Sequence, residues 1–200
     1  MNDVIIIGAS AHGRIAADIA LAAGINIRGF IDDAKPVDEK IDGIDVLGGI
    51  AVAENYPDCD FVIAIGSREI RQRLATMPLN WTTLIHPSAV VSRTAKIGKG
   101  CIVMPLAVIN AAASVGDFCM VKSGAVVEYE TKIGSFCNIA TNSVCGASCN
   151  IGDNTQISIG ATIRNSINIC NDVTVGAGAV VIRDIRESGA YVGVPAKRLD

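Results

Sequence analysis

The sequence predicts two architectures in one chain: an α/β N-terminal half-Rossmann-like domain, then an all-β parallel β-helix built of hexapeptide repeats. Three observations predict this. An aliphatic residue recurs every six positions from Val91 to Val181. A small residue follows four positions after most of those slots. Before them, apolar runs of strand length alternate with helical patterns. The boundary falls near residue 82, giving domains 1–82 and 83–200.

The repeat is the stronger signal. Its slots are Val91, Ile97, Val103, Ile109, Val115, Val121, Val127, Ile133, Ile139, Cys145, Ile151, Ile157, Ile163, Ile169, Val175 and Val181. Fifteen of the sixteen are Ile or Val, without an insertion, so chance is excluded. Three hexads make one triangular coil of 18 residues, and residues about 88 to 185 make about five coils. Ile97-Gly98, Val115-Gly116, Ile133-Gly134 and Ile151-Gly152 mark each coil, with Ile169-Cys170 as the lapse. Glycine there is expected to supply a positive φ at a corner.

The second column of the repeat holds Cys101, Ala107, Ala113, Cys119, Ala125, Thr131, Cys137, Ser143 and Cys149. Cys101, Cys119 and Cys137 lie 18 apart and are expected to stack indoors as small core fillers. Cys145 takes a core slot; Cys59 and Cys170 have no assigned role.

In the first domain, "VIIIGASAHGRIAADIALAAG" reads as a buried strand, a glycine turn and a helix whose apolar face includes Ile15 and Ile19. Gly24 ends that helix. "INIRGFIDD" and "DFVIAIG" are further strands, "SREIRQRLATM" a second helix, and residues 34–43 an exposed loop. The turn Gly8-Ala9-Ser10-Ala11-His12-Gly13 resembles a dinucleotide fingerprint imperfectly, with Asp32 where a ribose-reading acid belongs. A domain of this size suits one nucleotide better than two. Ile65-Gly66-Ser67 opens the second helix in the same way, with Arg68 and Arg71 following. Two helix N-termini at one pocket would make an anion site.

Composition narrows the function. Half of the 200 residues are hydrophobic, 18% are charged, and the net charge is −3, which gives no electrostatic reason to bind nucleic acid. No apolar run is long enough for a membrane span. "MNDVIIIGAS" reads as a strand and not as a signal peptide. Seven cysteines without disulfide or metal spacing suit a reducing cytoplasm.

Taken together, "GASAHG", "GFIDD", "IAIGSREIR", "LIHPSAVVS", the unbroken hexapeptide array and "GVPAKRL" cover the whole length. They resemble the bacterial sugar O- and N-acyltransferases related to sialic acid O-acetyltransferase and the nucleotide-4-amino-sugar N-acetyltransferases. The resemblance implies a left-handed β-helix, a homotrimer, a nucleotide-linked sugar held by the N-terminal domain, and acetyl-CoA in the groove between two β-helices. Surface-glycan biosynthesis is the implied setting. Gly8, Ser10, His12, Gly13, Asp32, Asp33, Gly66, Ser67 and Arg71 match the positions near the sugar nucleotide. Gly146 and Ala147 match the acyl-thioester contact, and Lys197 and Arg198 the far end of the CoA groove.

One motif departs from the family. Where it carries Glu-His-(Asp/Glu), this chain reads Glu128-Tyr129-Glu130, and a second histidine nine residues later is Asn138. Its two histidines, His12 and His86, lie outside the β-helix array, which rules against the zinc carbonic anhydrases sharing that scaffold. Glu128, Tyr129, Glu130 and Asn138 are the candidate catalytic set. A phenol of reference pKa about 10 is a poor base at pH 7. A sugar hydroxyl needs a base, whereas a neutral amine attacks a thioester unaided. The expectation is N-acetylation of a nucleotide-linked amino sugar. Two other readings stand: an O-acetyltransferase using a carboxylate base, and a degenerate trimer that binds sugar nucleotide or CoA without turnover.

Overall fold

The computed structural model describes residues 2–199; Met1 and Asp200, the outermost positions of the two expected domains, lie outside the described residues. The chain divides into two compact units. One runs to Pro87 and takes in Lys99–Ile102; the other holds Ser88–Gly98 and the chain from Val103 onward. Among the described residues no helix is long and apolar enough to cross a membrane.

The first unit runs β1 (Val4–Ile7), α1 (Ala11–Ala22), β2 (Ile27–Ile31), β3 (Lys40–Ile41), β4 (Ile44–Gly48), a 3-10 helix (Ile50–Asn55), β5 (Asp60–Ile63) and α2 (Arg68–Ala75). The sheet order is β3-β4-β2-β1-β5. β1 pairs in parallel with both β2 and β5, and β2 with β4; β3 adds an antiparallel edge. β1 is buried along its whole length, which is why it reads as an unbroken apolar run. β3 and β4 lie partly in and just after the expected loop; the alternation in "IDVLG" was their signal.

α1 buries Gly13, Ala16, Ala17 and Ala20, spaced i, i+3, i+4, i+7, together with Ile19. Ile15 was expected on this face but is 37% exposed. At 100° per residue it falls on the far side of the axis from the small residues that seat the helix. Gly24, just past the helix, has φ +69°, as a C-terminal stop requires.

The second unit is the left-handed parallel β-helix. Among the described residues, fifteen short strands from Val90 to Val175, three per coil, make five coils, and Val180–Val181 begins another. Strand partners lie 18 residues apart: Val108 pairs with Val126, Ser114 with Lys132, Met120 with Asn138. The slots point inward, and Ile109, Val127, Cys145 and Ile163 stack fully buried on the first face. The second column closes the prism, with Ala125, Thr131, Cys137, Ser143, Cys149, Thr155 and Ala161 all at zero exposure. The buried hydroxyls are satisfied: Thr131 donates to Gly146 O at 2.6 Å, Ser143 to Ala140 O at 2.7 Å.

The faces differ outside. The first presents Val90, Val108, Val126, Val144, Thr162 and Val180. The second presents Lys96, Ser114, Lys132, Asn150 and Asn168, where Asn150 Nδ2 donates to Asn168 Oδ1 at 2.9 Å. One face is therefore apolar and the next is polar.

The corners correct one expectation. Positive φ does not fall on Gly98, Gly116, Gly134 or Gly152. It falls every six residues at another position, carried mostly by side-chain-bearing residues: Leu106, Ala112, Phe118, Glu130, Phe136, Asn142, Ser148, Asn154, Ser166 and Asp172, at φ 55–61°. The marker glycines answer to crowding instead. A Cβ on Gly116 would lie 2.7 Å from Gly134 C and from Ser135 N of the next coil. Each left-handed corner costs an L-residue about 1–2 kcal/mol. Its N–H is paired to the coil before: Glu130 N donates to Ala111 O at 3.0 Å, and Ser148 N to Tyr129 O at 2.9 Å.

The cysteines stack as expected. Cys137 N donates to Cys119 Sγ at 3.3 Å, and Cys137 Sγ to Gly152 O at 3.2 Å. Burial drives the Cys145 thiol far above its ordinary range, so no thiolate forms there near neutrality. A small thiol reagent should therefore modify the native protein first at half-exposed Cys170. Cys101, Cys119, Cys137, Cys145 and Cys149 should stay silent until unfolding. Peptide mass mapping reads the order, and rapid native labelling of those five would contradict the stack.

Candidate active site

The first unit brings its two glycine turns together at the carboxyl ends of β1 and β5. β2 lies on one side of β1 and β5 on the other, so the crevice there is the switch point where parallel sheets bind ligands. A pocket of ≈ 160 Å³ opens at this place, lined by Gly8, Asp32, Asp33 and Ile65 among others. An open cleft of ≈ 640 Å³ runs past Ser10, Arg14, Lys35 and Lys40.

The local chemistry sorts the expected residues. Gly8 has φ +105°, and a Cβ there would lie 2.8 Å from Ala64 O. Gly13 is tighter still, with its ideal Cβ 2.0 Å from Gly8 O; the turn closes only because both positions lack side chains. Ser10 caps α1 by position but makes no side-chain capping bond. His12 lies over the second turn, its Cε1 3.4 Å from where a Gly66 Cβ would be. Ser67 caps α2, accepting from Ile70 N at 3.3 Å and donating to Glu69 Oε2 at 2.7 Å. That bond to Ser67 holds the Glu69 carboxyl below its ordinary range.

Three residues do something the sequence did not suggest. Asp32 accepts from Ala9 N at 2.8 Å and Ala34 N at 2.9 Å, tying the end of β2 to the first turn. Asp33 accepts from Ile50 N at 2.7 Å. Arg71, expected near a nucleotide, is 1% exposed, and its Nη1 donates to Ile65 O at 3.0 Å and Gly66 O at 2.9 Å. It holds the shape of the second turn from beneath.

In the β-helix, Glu128, Tyr129 and Glu130 form the corner after the strand Val126–Val127. Residues 18 apart sit on successive coils, so Tyr129 lies between Ala111 and Ala147, and Gly146 lies against Glu128. A bulky ring flanked by two alanines stands in a notch. Tyr129 is 51% exposed. Its hydroxyl makes no hydrogen bond among the described residues, and Glu130 turns away from it to accept from Ser148 Oγ at 3.0 Å. Glu128 Oε2 accepts from Tyr129 N at 3.3 Å.

The structure thus joins Glu128, Tyr129 and Glu130 with Gly146 and Ala147, the position expected for the thioester. It does not join them with Asn138. Nine residues are half a circuit, and Asn138 lies on the third face, between Met120 and Gln156. Its Oδ1 is buried with no partner among the described residues. Near the C-terminus, Lys197 is exposed beside a pocket of ≈ 330 Å³ that Arg183 also lines, whereas Arg198 is ion-paired with Glu187. Sequence reasoning missed Arg183, Ser148 and Asn165; counting 18 forward from the candidate corner would have found them.

Comparison with known proteins follows the same division. Residues 3–77 match the family described as the PglD N-terminal domain. Over 119 residues the chain is 34% identical to UDP-N-acetylbacillosamine N-acetyltransferase of Bacillus subtilis (strain 168), covering 52% of this chain. The match spans about half of that relative, 52%. The fold superimposes on a mutant of perosamine N-acetyltransferase from Caulobacter crescentus in complex with CoA and GDP-perosamine. The TM-score is 0.94 at 30% identity, over 100% of this chain and 98% of that one. The acetyltransferase domain of PglB from Neisseria gonorrhoeae FA1090, in complex with acetyl coenzyme A, gives 0.92 at 30% identity over 99% of each.

The glycine turn yields a direct test. Gly13→Ala places a methyl into Gly8 O and should cost about 1–3 kcal/mol, as overpacking does. Gly43→Ala, where no atom lies within 4 Å, should cost only the strain of its φ of +84°. Thermal melts of the two variants read the difference, with Gly13→Ala melting lower.

Proposed function

We infer, for a chain that belongs to the hexapeptide-repeat sugar N-acetyltransferases, that it moves an acetyl group from acetyl-CoA to the amino group of a nucleotide-linked sugar. The observation that carries this is the corner column Ala111–Tyr129–Ala147. It offers a notch, an exposed phenol and two carboxylates, and none of these three side chains is an imidazole. In this reading the nucleotide sits at the paired glycine turns, with Gly8, Ser10, His12, Gly13, Gly66 and Ser67 facing it. Asp32, Asp33 and Arg71 fix the turns' shape. Lys197 and Arg183 give cationic ends for the CoA phosphates.

The chemistry suits an amine. The neutral amine nitrogen attacks the thioester carbon, the carbonyl pair moves to oxygen, and the tetrahedral intermediate collapses with loss of the C–S bond. The thiolate leaves, and the proton shed by nitrogen ends on it, directly or through Glu128. The products are an N-acetyl sugar and CoA. Tyr129 accepts an N–H from the amine through its phenol oxygen, aiming the nitrogen lone pair at carbon. Proximity on a rigid corner supplies most of the acceleration. The use of acetyl-CoA fits a cytoplasmic enzyme.

A homotrimer belongs to this reading. Tyr129 and Asn138 lie half a circuit apart on one prism, so they meet only where two prisms lie side by side. The apolar first face, from Val90 to Val180, suits such a contact. Tyr129→Ala and Asn138→Ala proteins, each impaired, should then regain part of the activity when refolded together, because some interfaces pair intact Tyr129 with intact Asn138. Mixtures no better than the average of the parents would place each site within one chain.

Turnover with acetyl-CoA over a panel of UDP-, dTDP- and GDP-linked 4-amino sugars and their hydroxyl analogues tests the reaction. Amino acceptors should be acetylated and hydroxyl analogues should not. Tyr129→Phe should cost about tenfold, the scale of one orienting hydrogen bond. A loss beyond about a thousandfold with binding intact would make Tyr129 the base, and acylation of hydroxyl sugars alone would overturn N-transfer.

A further inference from the structure

The corner has a donor problem. An acyl-transfer site must donate hydrogen bonds to the oxygen that becomes negative in the tetrahedral intermediate. Gly146 and Ala147 occupy the place for the thioester, but their N–H groups are engaged. Gly146 N donates to Ile163 O at 3.0 Å. Ala147 N donates to Asn165 Oδ1 at 3.0 Å. Glu128 N donates to Cys145 O at 3.0 Å, Glu130 N to Ala111 O at 3.0 Å, and Ser148 N to Tyr129 O at 2.9 Å. Tyr129 N is turned to Glu128 Oε2, and Ser148 Oγ to Glu130 Oε2. The whole backbone of the corner is paired within the β-helix.

One neutral donor beside Ala147 is left over. Asn165 stands one coil beyond Ala147, and its Oδ1 lies so close over Gly146 that a Cβ there would approach to 2.5 Å. Because Oδ1 faces an N–H, the carboxamide orientation is fixed chemically, and Nδ2 projects from the same spot. Asn165 is exposed, and Nδ2 has no hydrogen-bond partner among the described residues. The same cap recurs elsewhere in the fold, with Ser135 Oγ on Asp117 N at 3.1 Å, Asp153 Oδ1 on Ser135 N at 2.7 Å and Asn171 Oδ1 on Asp153 N at 2.9 Å; at the Tyr129 corner it is Asn165 that makes it.

We propose that Asn165 is the oxyanion donor of this enzyme: its Oδ1 locks the Ala147 peptide while its Nδ2–H binds the thioester carbonyl oxygen as charge develops there. The assignment rests on acetyl transfer at this corner, as inferred above. Two capping variants test it. Asn165→Asp keeps the acceptor on Ala147 N and loses the donor; Asn165→Ser keeps an uncharged acceptor, as Ser135 does in its own corner, and retains an O–H that can donate.

Steady-state kinetics with acetyl-CoA and the amino-sugar nucleotide, alongside thermal melts, give the readout. Both variants should melt like the unmodified protein and keep KM for acetyl-CoA within about threefold; Asn165→Asp should lose about 10²- to 10³-fold in kcat, as removal of one such donor does, and Asn165→Ser should lose less. Asn165→Ala should lose less than Asn165→Asp, because it frees the Ala147 N–H to serve instead. Asn165→Asp with unmodified kcat, or Asn165→Ala as poor as Asn165→Asp, would overturn the assignment and leave Asn165 a cap. An unmodified protein that acetylates no amino sugar would overturn the reaction itself, and the assignment with it.

Discussion

Everything in the second unit depends on one constraint: each coil must contain 18 residues, so that the strand N–H groups find carbonyls of the neighbouring coil. Strands about 4.8 Å apart then place chemically unrelated positions directly above one another. Glu128 meets Gly146, Tyr129 meets Ala147, and Ala147 meets Asn165, with no contact from sequence neighbours needed. A single inserted residue would turn every later side chain away from its column. Side-chain identity is thus secondary to count, and the site is a consequence of counting.

That is why so much was legible. A six-residue period over sixteen slots names the inward positions, and those from Val103 to Val181 are buried. The small column four residues later is buried too, down to its threonines and serines. What the period cannot show is the cause of a residue at a corner. Glycine at Gly116 looked like a torsional need, but the pressure on it comes from Gly134 and Ser135, 18 and 19 residues away. In the first unit, a strand-turn-helix pattern was enough to find the two glycine turns, which the fold brings together at His12 and Gly66.

The remainder was illegible because it is set by non-local partners. Asp32 after a strand looks like a ligand contact until its oxygens are found on Ala9 N and Ala34 N. Arg71 looks like an anion binder until burial turns its guanidinium onto the carbonyls of Ile65 and Gly66. Both hold the backbone of the two glycine turns. Asn165 escaped notice because it is one asparagine among several in the repeat; only its bond to Ala147 sets it at the candidate corner.

The left-handed corners have a consequence for how such an enzyme changes over time. Because most corner N–H groups bond to carbonyls one coil away, and those of Leu106 and Ala112 to hydroxyls of Ser88 and Thr94, the corner holds its conformation almost regardless of which side chain it bears. Leucine, phenylalanine, glutamate, serine and asparagine all occupy it. Folding and chemistry are therefore specified by separate sets of positions. Corner residues can be exchanged one at a time while the prism that presents them goes on assembling unchanged.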